Sequence, residues 1–215
     1  MNTNRLLFTF GCLCSIIVYS NACSCMPQHM QERFCESDFV ILARVKREHI
    51  IGDRRVYKVR VKKEFKTSEK AIIALKSGKL MTAAQDSLCG VNLDIGKTYV
   101  LSGRIYALRA QVNLCGIHTE WQHLTKRQKK GLRLLYRHGC NCKIRRCFYG
   151  RCHRQIDSCT WRNSCESNEG ICLRQNNQSC MWAKTRLLST CTKEWRRNST
   201  ITAARNHRFN LNFSH

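Results

Sequence analysis

Nine cysteines crowd the 52 residues from Cys140 to Cys191, so crosslinks rather than a sizeable apolar core must hold that stretch. The whole chain carries sixteen cysteines in 215 residues. Cys12 and Cys14 lie in Met1–Ala22, which reads as a secretory leader: one early charge (Arg5), an apolar run from Leu6 to Tyr19, and small residues at Ser20 and Ala22. Cleavage after Ala22 makes Cys23 the first of 193 residues and leaves fourteen cysteines, an even number that suits seven disulfides in an oxidising compartment. A cut after Ser20 is a second, poorer option. Spacing alone fixes no pairing. A zinc cluster built on Cys140-Asn141-Cys142 and Cys152-His153 is the competing use of these thiols, and the secretory route disfavours it.

Only the leader carries a long apolar run, and it is too short and too close to the start for a membrane anchor. The tail, Arg208–His215, is too polar for a lipid-anchor signal. The expectation is a soluble, secreted, extracellular protein. Asn177, Asn198 and Asn212 begin N-glycosylation sequons. The 14 acidic residues show no paired carboxylates, and no strand-turn-helix elbow surrounds Ser87, so no enzyme is expected.

Cysteines are sparse from Cys23 to Cys140, where apolar runs alternate with turns. In Arg55–Phe65, Tyr57, Val59, Val61 and Phe65 fall on one face and basic residues dominate the other, as in a half-buried strand. Phe39–Val45, Ala71–Leu75, Lys79–Ala84, Thr98–Ile105 and Leu108–Leu114 read as further strands. The fold class expected is mainly β, a small Greek-key barrel with a few short helices and a disulfide-rich C-terminal domain. One helix is expected over Pro27–Cys35, with the proline in its first turn. Another is expected over Thr125–Arg137, with Thr125 and Gln128 as a capping box and Gly139 as a left-handed stop. The domains read as 1–22 leader, 23–140 barrel, and 141–215 disulfide-rich with a polar tail.

Cys23-Ser24-Cys25-Met26-Pro27-Gln28-His29, followed by Phe34-Cys35-Glu36-Ser37-Asp38-Phe39-Val40-Ile41, resembles the amino terminus of the tissue inhibitors of metalloproteinases. Ser87-Leu88-Cys89-Gly90-Val91, Leu114-Cys115, Gly139-Cys140-Asn141-Cys142 and Ile171-Cys172-Leu173-Arg174 are similar to later motifs of that family. The similarity runs to about Trp182. It implies a five-stranded barrel of the oligonucleotide/oligosaccharide-binding, netrin-like type. By position it also implies the disulfides Cys23–Cys89, Cys25–Cys115, Cys35–Cys140, Cys142–Cys180, Cys147–Cys152 and Cys159–Cys172. Cys165 and Cys191 have no counterpart in that pattern and are left to pair with each other.

The activity implied is inhibition of zinc endopeptidases of the matrix metalloproteinase type. The α-amine and carbonyl of Cys23 would chelate the protease's zinc; the chain has no cofactor of its own. Ser24 would enter the specificity pocket, with Cys25, Met26, Pro27, Ser87, Leu88 and Cys89 along the cleft. The family's proline just beyond its histidine is replaced here by Met30, and the hairpin loop near His49–Arg54 is short. His29 could ligate a metal, but a surface or capping role is the expectation.

The net charge of +24 concentrates at Lys126, Arg127, Lys129, Lys130, Arg133 and Arg137, and again at Arg54, Arg55, Lys58, Arg60, Lys62 and Lys63. The first cluster is a candidate site for heparan-sulfate-like glycosaminoglycans of the matrix. Nucleic acid is excluded by the secretory route. The alternative to inhibition is a non-inhibitory netrin-like module that binds matrix glycans or a growth factor.

Overall fold

The half-buried alternation of Arg55–Phe65 becomes one wall of a closed barrel. The structure, a computed structural model, describes residues 23–147, 152, 153 and 155–212, with side chains described to residue 200. The leader, 1–22, lies outside the described residues. Strands β1 (Phe39–Ile51) and β2 (Arg54–Thr67) form a long antiparallel hairpin, and β3 is Lys79–Ala83. They are followed by β4 (Thr98–Tyr106), β5 (Arg109–Gln111) and β6 (His118–Glu120). Pairing runs β1-β2-β3-β5-β4, and β4 returns to β1, which closes five strands; β6 adds to β4. The β3–β5 contact, Met81 opposite Gln111, is parallel. Register shifts at Val40/Ile41, Leu42/Ala43 and Val45/Arg47 bend the hairpin and allow a small sheet to curl on itself.

Tyr57, Val59 and Phe65 are buried as the alternation requires, with Val61 partly so. Tyr57, Val59 and Val61 meet Phe39, Ile41, Ala43 and Val45 from β1, and Tyr99 and Leu101 from β4, in one core cluster, while Phe65 stacks on Trp121. Gly103 sits where β4 crosses β1: a Cβ there would run into the Gln111 carbonyl and the Phe39 ring.

Three local expectations change. Ala71–Leu75 is not a strand but part of helix α2 (Glu69–Leu75), because the Ser68 side chain accepts from the Ala71 N–H and caps its start. Ala71, Ala74 and Leu75 then face the core at helical spacing, while Ile72 and Ile73 stay exposed. Helix α1 is Met30–Glu36, so Pro27 lies upstream of it rather than in its first turn. Leu108–Leu114 shortens to β5, since Ala107 and Leu108 both take positive φ, as a tight turn requires.

The chain divides into two compact units, one of 37–122 with the residues up to Pro27, the other of 28–36 with 123–215. The boundary read at 140/141 falls inside the second unit in this division. There Thr125 caps α3 (Lys126–Lys130) with the expected box: the Thr125 hydroxyl accepts from the Gln128 N–H, and the Gln128 side-chain oxygen accepts from the Thr125 N–H. The helix then widens into a π turn over Gly131–Leu135, where the Tyr136 ring covers Gly131 and leaves no room for a Cβ. Gly139 is not a left-handed stop; it lies in a right-handed 3-10 turn, Arg137–Gly139. Its missing side chain makes room for the Cys172 carbonyl and the Gln31 amide.

Strands β7 (Lys143–Arg146) and β8 (Ser158–Trp161) pair in parallel. Helix α4 is Ser164–Glu169, and β9 (Cys172–Arg174) pairs antiparallel with β10 (Cys180–Trp182). Their small core is Cys142, Cys159, Cys172, Cys180 and Ile144, flanked by Trp161 and Trp182. Sulfur replaces much of the aliphatic filling a larger unit would have. The expected polar tail is a helix, α5 (Arg186–Asn212).

Gly103→Ala is expected to destabilise the barrel by about 2 kcal/mol or more, since neither the Gln111 backbone nor the enclosed Phe39 can retreat cheaply. A fall in the urea midpoint at unchanged slope is the measurement that checks it.

Candidate protease-binding ridge

The segment 23–27 forms no helix or strand, and covalent bonds hold it. Cys23 is bonded to Cys89 and Cys25 to Cys115, closing spans of 66 and 90 residues. In the chain-entropy description, loops of that size each remove roughly 4–5 kcal/mol of freedom from the unfolded chain. Cys23 and Cys25 are half-buried; Ser24, Met26 and Pro27 between and beyond them are exposed, Met26 at 79%. This is an apolar, tethered strip presented to solvent.

The second loop is held just as firmly. A 3-10 turn, Asp86–Leu88, leads into Cys89, which takes a left-handed conformation at φ 61°. Such a conformation strains a residue bearing a Cβ and persists only where the surroundings impose it. Here Gly90 packs against the Ala83 and Gln85 carbonyls with no space for a side chain. The Leu114 N–H donates to the Cys89 carbonyl at 3.0 Å. The Thr82 hydroxyl accepts from the Val91 N–H at 3.1 Å. Buried Tyr57 donates to the Val91 carbonyl and accepts from the Leu93 N–H, both at 3.0 Å. Ser87 and Leu88 project from this frame, Leu88 56% exposed. Cys23–Cys89 therefore brings Ser24 and Met26 together with Ser87 and Leu88 in one exposed ridge.

The sulfurs of Cys23, Cys25, Cys89 and Cys115 lie within 4.8 Å of one another, a spacing that could suit a metal. All four are spent in disulfides, so none offers the thiolate a metal would need. The zinc alternative at Cys140, Cys142 and Cys152 fails for the same reason, since they are bonded to Cys35, Cys180 and Cys147. Cys159–Cys172 and Cys165–Cys191 complete the seven pairs.

His29 is 1% exposed and not placed as a ligand; of the two roles expected it takes the capping one, standing directly before α1. Its Nδ1 accepts from the Gln31 N–H at 3.2 Å, so Nε2 carries the proton and donates to the Glu166 carbonyl at 3.0 Å. The Trp182 ring lies 5.3 Å away and Trp161 6.0 Å away. Burial disfavours the imidazolium and lowers the pKa to about 4. Beside it, Gln31 donates to the Gly139 and Cys172 carbonyls and accepts from the Cys172 N–H.

In the basic cluster of the second unit, Lys126, Lys130, Arg133 and Arg137 are exposed, while Arg127 and Lys129 are partly buried. Arg127 donates to the Glu169 carbonyl at 3.3 Å. In the barrel, Arg54, Lys58, Arg60, Lys62 and Lys63 are exposed; Arg55 is partly buried and pairs with Glu48 at 2.9 Å. Asn177 lies exposed in the β9–β10 turn and Asn198 on α5; Asn212 lies beyond the described side chains.

The site is thus a crosslinked strip, 23–27, held beside a rigid loop of a closed barrel. The family-wide sequence model described as "Tissue inhibitor of metalloproteinase" matches residues 21–182, and this chain belongs to that family, one of protease inhibitors and not of enzymes. The chain is 34% identical over 186 residues to "Tissue inhibitor of metalloproteinase" of Drosophila melanogaster, covering 80% of this chain and 87% of the relative. It is 34% identical over 178 residues to "Metalloproteinase inhibitor 3" of Scyliorhinus torazame, covering 76% and 81%. It is 32% identical over 202 residues to "Metalloproteinase inhibitor 2" of Homo sapiens, covering 84% and 90%.

The folded-state pKa of His29 lies below the unfolded value of 6.5. Its stabilising contribution is therefore complete above pH 6.5 and is lost as pH falls toward 4, by up to about 3 kcal/mol. The difference in unfolding free energy between wild type and His29→Gln should shrink by that amount from pH 7 to pH 4. Comparing the two proteins cancels Glu32, whose pKa burial raises in both.

Proposed function

We propose that this inhibitor acts on zinc endopeptidases of the matrix metalloproteinase type by chelating their catalytic zinc through the α-amine and carbonyl of Cys23. The observation that carries the reading is the double tether: disulfides on both sides of Ser24 hold an exposed strip beside Leu88. Cleavage after Ala22 frees the amine. A protease zinc has three protein ligands and one open position for water, and the five-membered chelate would fill that position and expel the water. The amine binds zinc only when neutral; its ordinary pKa of about 7.7–8.0 makes this workable at neutral pH. Because the strip is already ordered, little conformational entropy is lost on binding.

Ser24 then points into the main specificity pocket, Cys25, Met26 and Pro27 follow the cleft on one side, and Ser87 and Leu88 lie on the other. The leader and the disulfides support secretion into the extracellular space, where the exposed sequons at Asn177 and Asn198 can carry glycans. Among the described residues no helix is long and apolar enough to cross a membrane. The cationic surface supports retention on sulfated glycans of the matrix, with Lys126–Arg137 as the first candidate.

One alanine added before Cys23, or acetylation of its amine, should raise inhibition constants roughly a thousandfold, about 4 kcal/mol, with an unchanged melting curve. Full inhibition by the correctly folded, alanine-extended protein would remove the chelation mechanism and favour a non-inhibitory binding module.

Ser24→Gly should weaken inhibition of several metalloproteinases roughly tenfold, by removing side-chain contacts and adding backbone freedom. Ser24→Leu should separate deep-pocket from shallow-pocket enzymes. Inhibition constants unmoved by both changes would show that Ser24 does not occupy the pocket.

A further inference from the structure

Beyond residue 182, where the family-wide match ends, the chain continues through Lys184 into helix α5. The Cys165–Cys191 disulfide fastens this helix to α4, and Cys191 also lies beyond the matched residues. Leu188 turns inward at 8% exposure, and the Thr185 hydroxyl accepts from its N–H at 3.2 Å. Opposite, Arg186, Lys193, Arg196 and Arg197 are all exposed. At α-helical spacing these four span about 16 Å of axis and roughly 100° of circumference, one cationic stripe. Glu194 is the one acidic residue in the helix, and among the described residues no salt bridge engages the four cations. A cavity of about 570 Å³ lies along the stripe, lined by Trp182, Lys184, Arg186, Leu188, Lys193 and Arg196 among others.

We propose that α5 and this cavity form a binding site for a sulfated polysaccharide. The idea rests on the glycan part of the proposed function and moves the site from α3 to α5. Arginine forks match sulfate oxygens in pairs, and the lysines add point charge. Trp182, partly exposed, gives sugar rings an apolar surface. An acidic membrane is a poorer occupant, because Leu188 and Cys191 turn to the protein and, among the described side chains of α5, only Leu187 and Trp195 remain as exposed large apolar groups, too few for the continuous apolar face that a helix lying on lipid needs. Partly buried Arg127 on α3, already bonded to Glu169, is less available than any cation of the α5 stripe.

The test uses the full secreted protein on immobilised heparin and with a size-defined heparin oligosaccharide. Arg186, Lys193, Arg196 and Arg197 are changed together to Gln; Lys126, Arg127, Lys129 and Lys130 changed to Gln form a charge-matched control. The α5 variant should bind the oligosaccharide about tenfold or more weaker and elute at lower salt, with protease inhibition and far-UV circular dichroism unchanged. The control should move much less. An unmoved α5 variant overturns the proposal, and if the control alone weakens, the glycan reading stands with its site on α3. Equal weakening of both would show net charge alone and also overturns it. No retention of wild type at physiological salt ends both the proposal and the glycan reading. Loss of binding to phosphatidylserine vesicles, with heparin binding unchanged, would assign α5 to lipid instead.

Discussion

Cys23 and Cys25 are separated by one residue, yet their disulfides end on different loops of the barrel, at Cys89 and Cys115. A strip with no strand partners and little burial would otherwise sample many conformations, and its exposed Met26 and Pro27 would have no defined place. Two covalent ends one residue apart leave Ser24 little freedom. The quality of that tether depends on its anchors. Tyr57 and Thr82 hold residues 91–93, and Gly90 lets the loop lie against the Ala83 carbonyl. Cys89 can then keep its left-handed backbone. The barrel serves as the frame that makes the strip rigid.

The second unit solves a different problem. Beside a few buried apolar side chains such as Phe34, Leu132, Tyr136 and Ile171, its interior relies on disulfide sulfur flanked by two tryptophans and on a buried polar set. His29, directly before α1, and Gln31, on it, satisfy backbone groups of Gly139, Glu166 and Cys172. A buried amide or imidazole is tolerable only when each polar atom finds a partner, and here the partners are main-chain groups that cannot move away. The exclusion of a side chain at Gly139 follows from the same crowding.

Positive charge spreads over both units and sets long-range attraction to polyanions without specifying a site. Placement does the specifying. Arg55 is neutralised by Glu48, and Arg127 turns to a carbonyl, whereas the α5 cations line up along one face. Basic residues in two helices therefore carry different meaning.

Period-two burial in β2, the Thr125 capping box and the demand for crosslinks were legible in the residues, because each depends on near neighbours or on composition. The strip at Cys23 was legible through the leader and the resemblance; cysteine spacing alone left the pairing open. Tertiary structure decided the rest. Ala71–Leu75 looked like a strand because Ile72 and Ile73 are β-branched, but the Ser68 cap and the core beneath Ala71, Ala74 and Leu75 made it a helix. His29 was read as a surface or capping residue; it does cap α1, but from the interior, beside a carbonyl more than a hundred positions away. Gly139 looked like a helix stop, and what requires it is a carbonyl at Cys172. The tail looked merely polar, and a crosslink to Cys165 is what gives its helix a fixed footing. Short-range patterns record backbone preference and burial period; which distant group occupies the space beside a residue is settled only when the chain closes on itself.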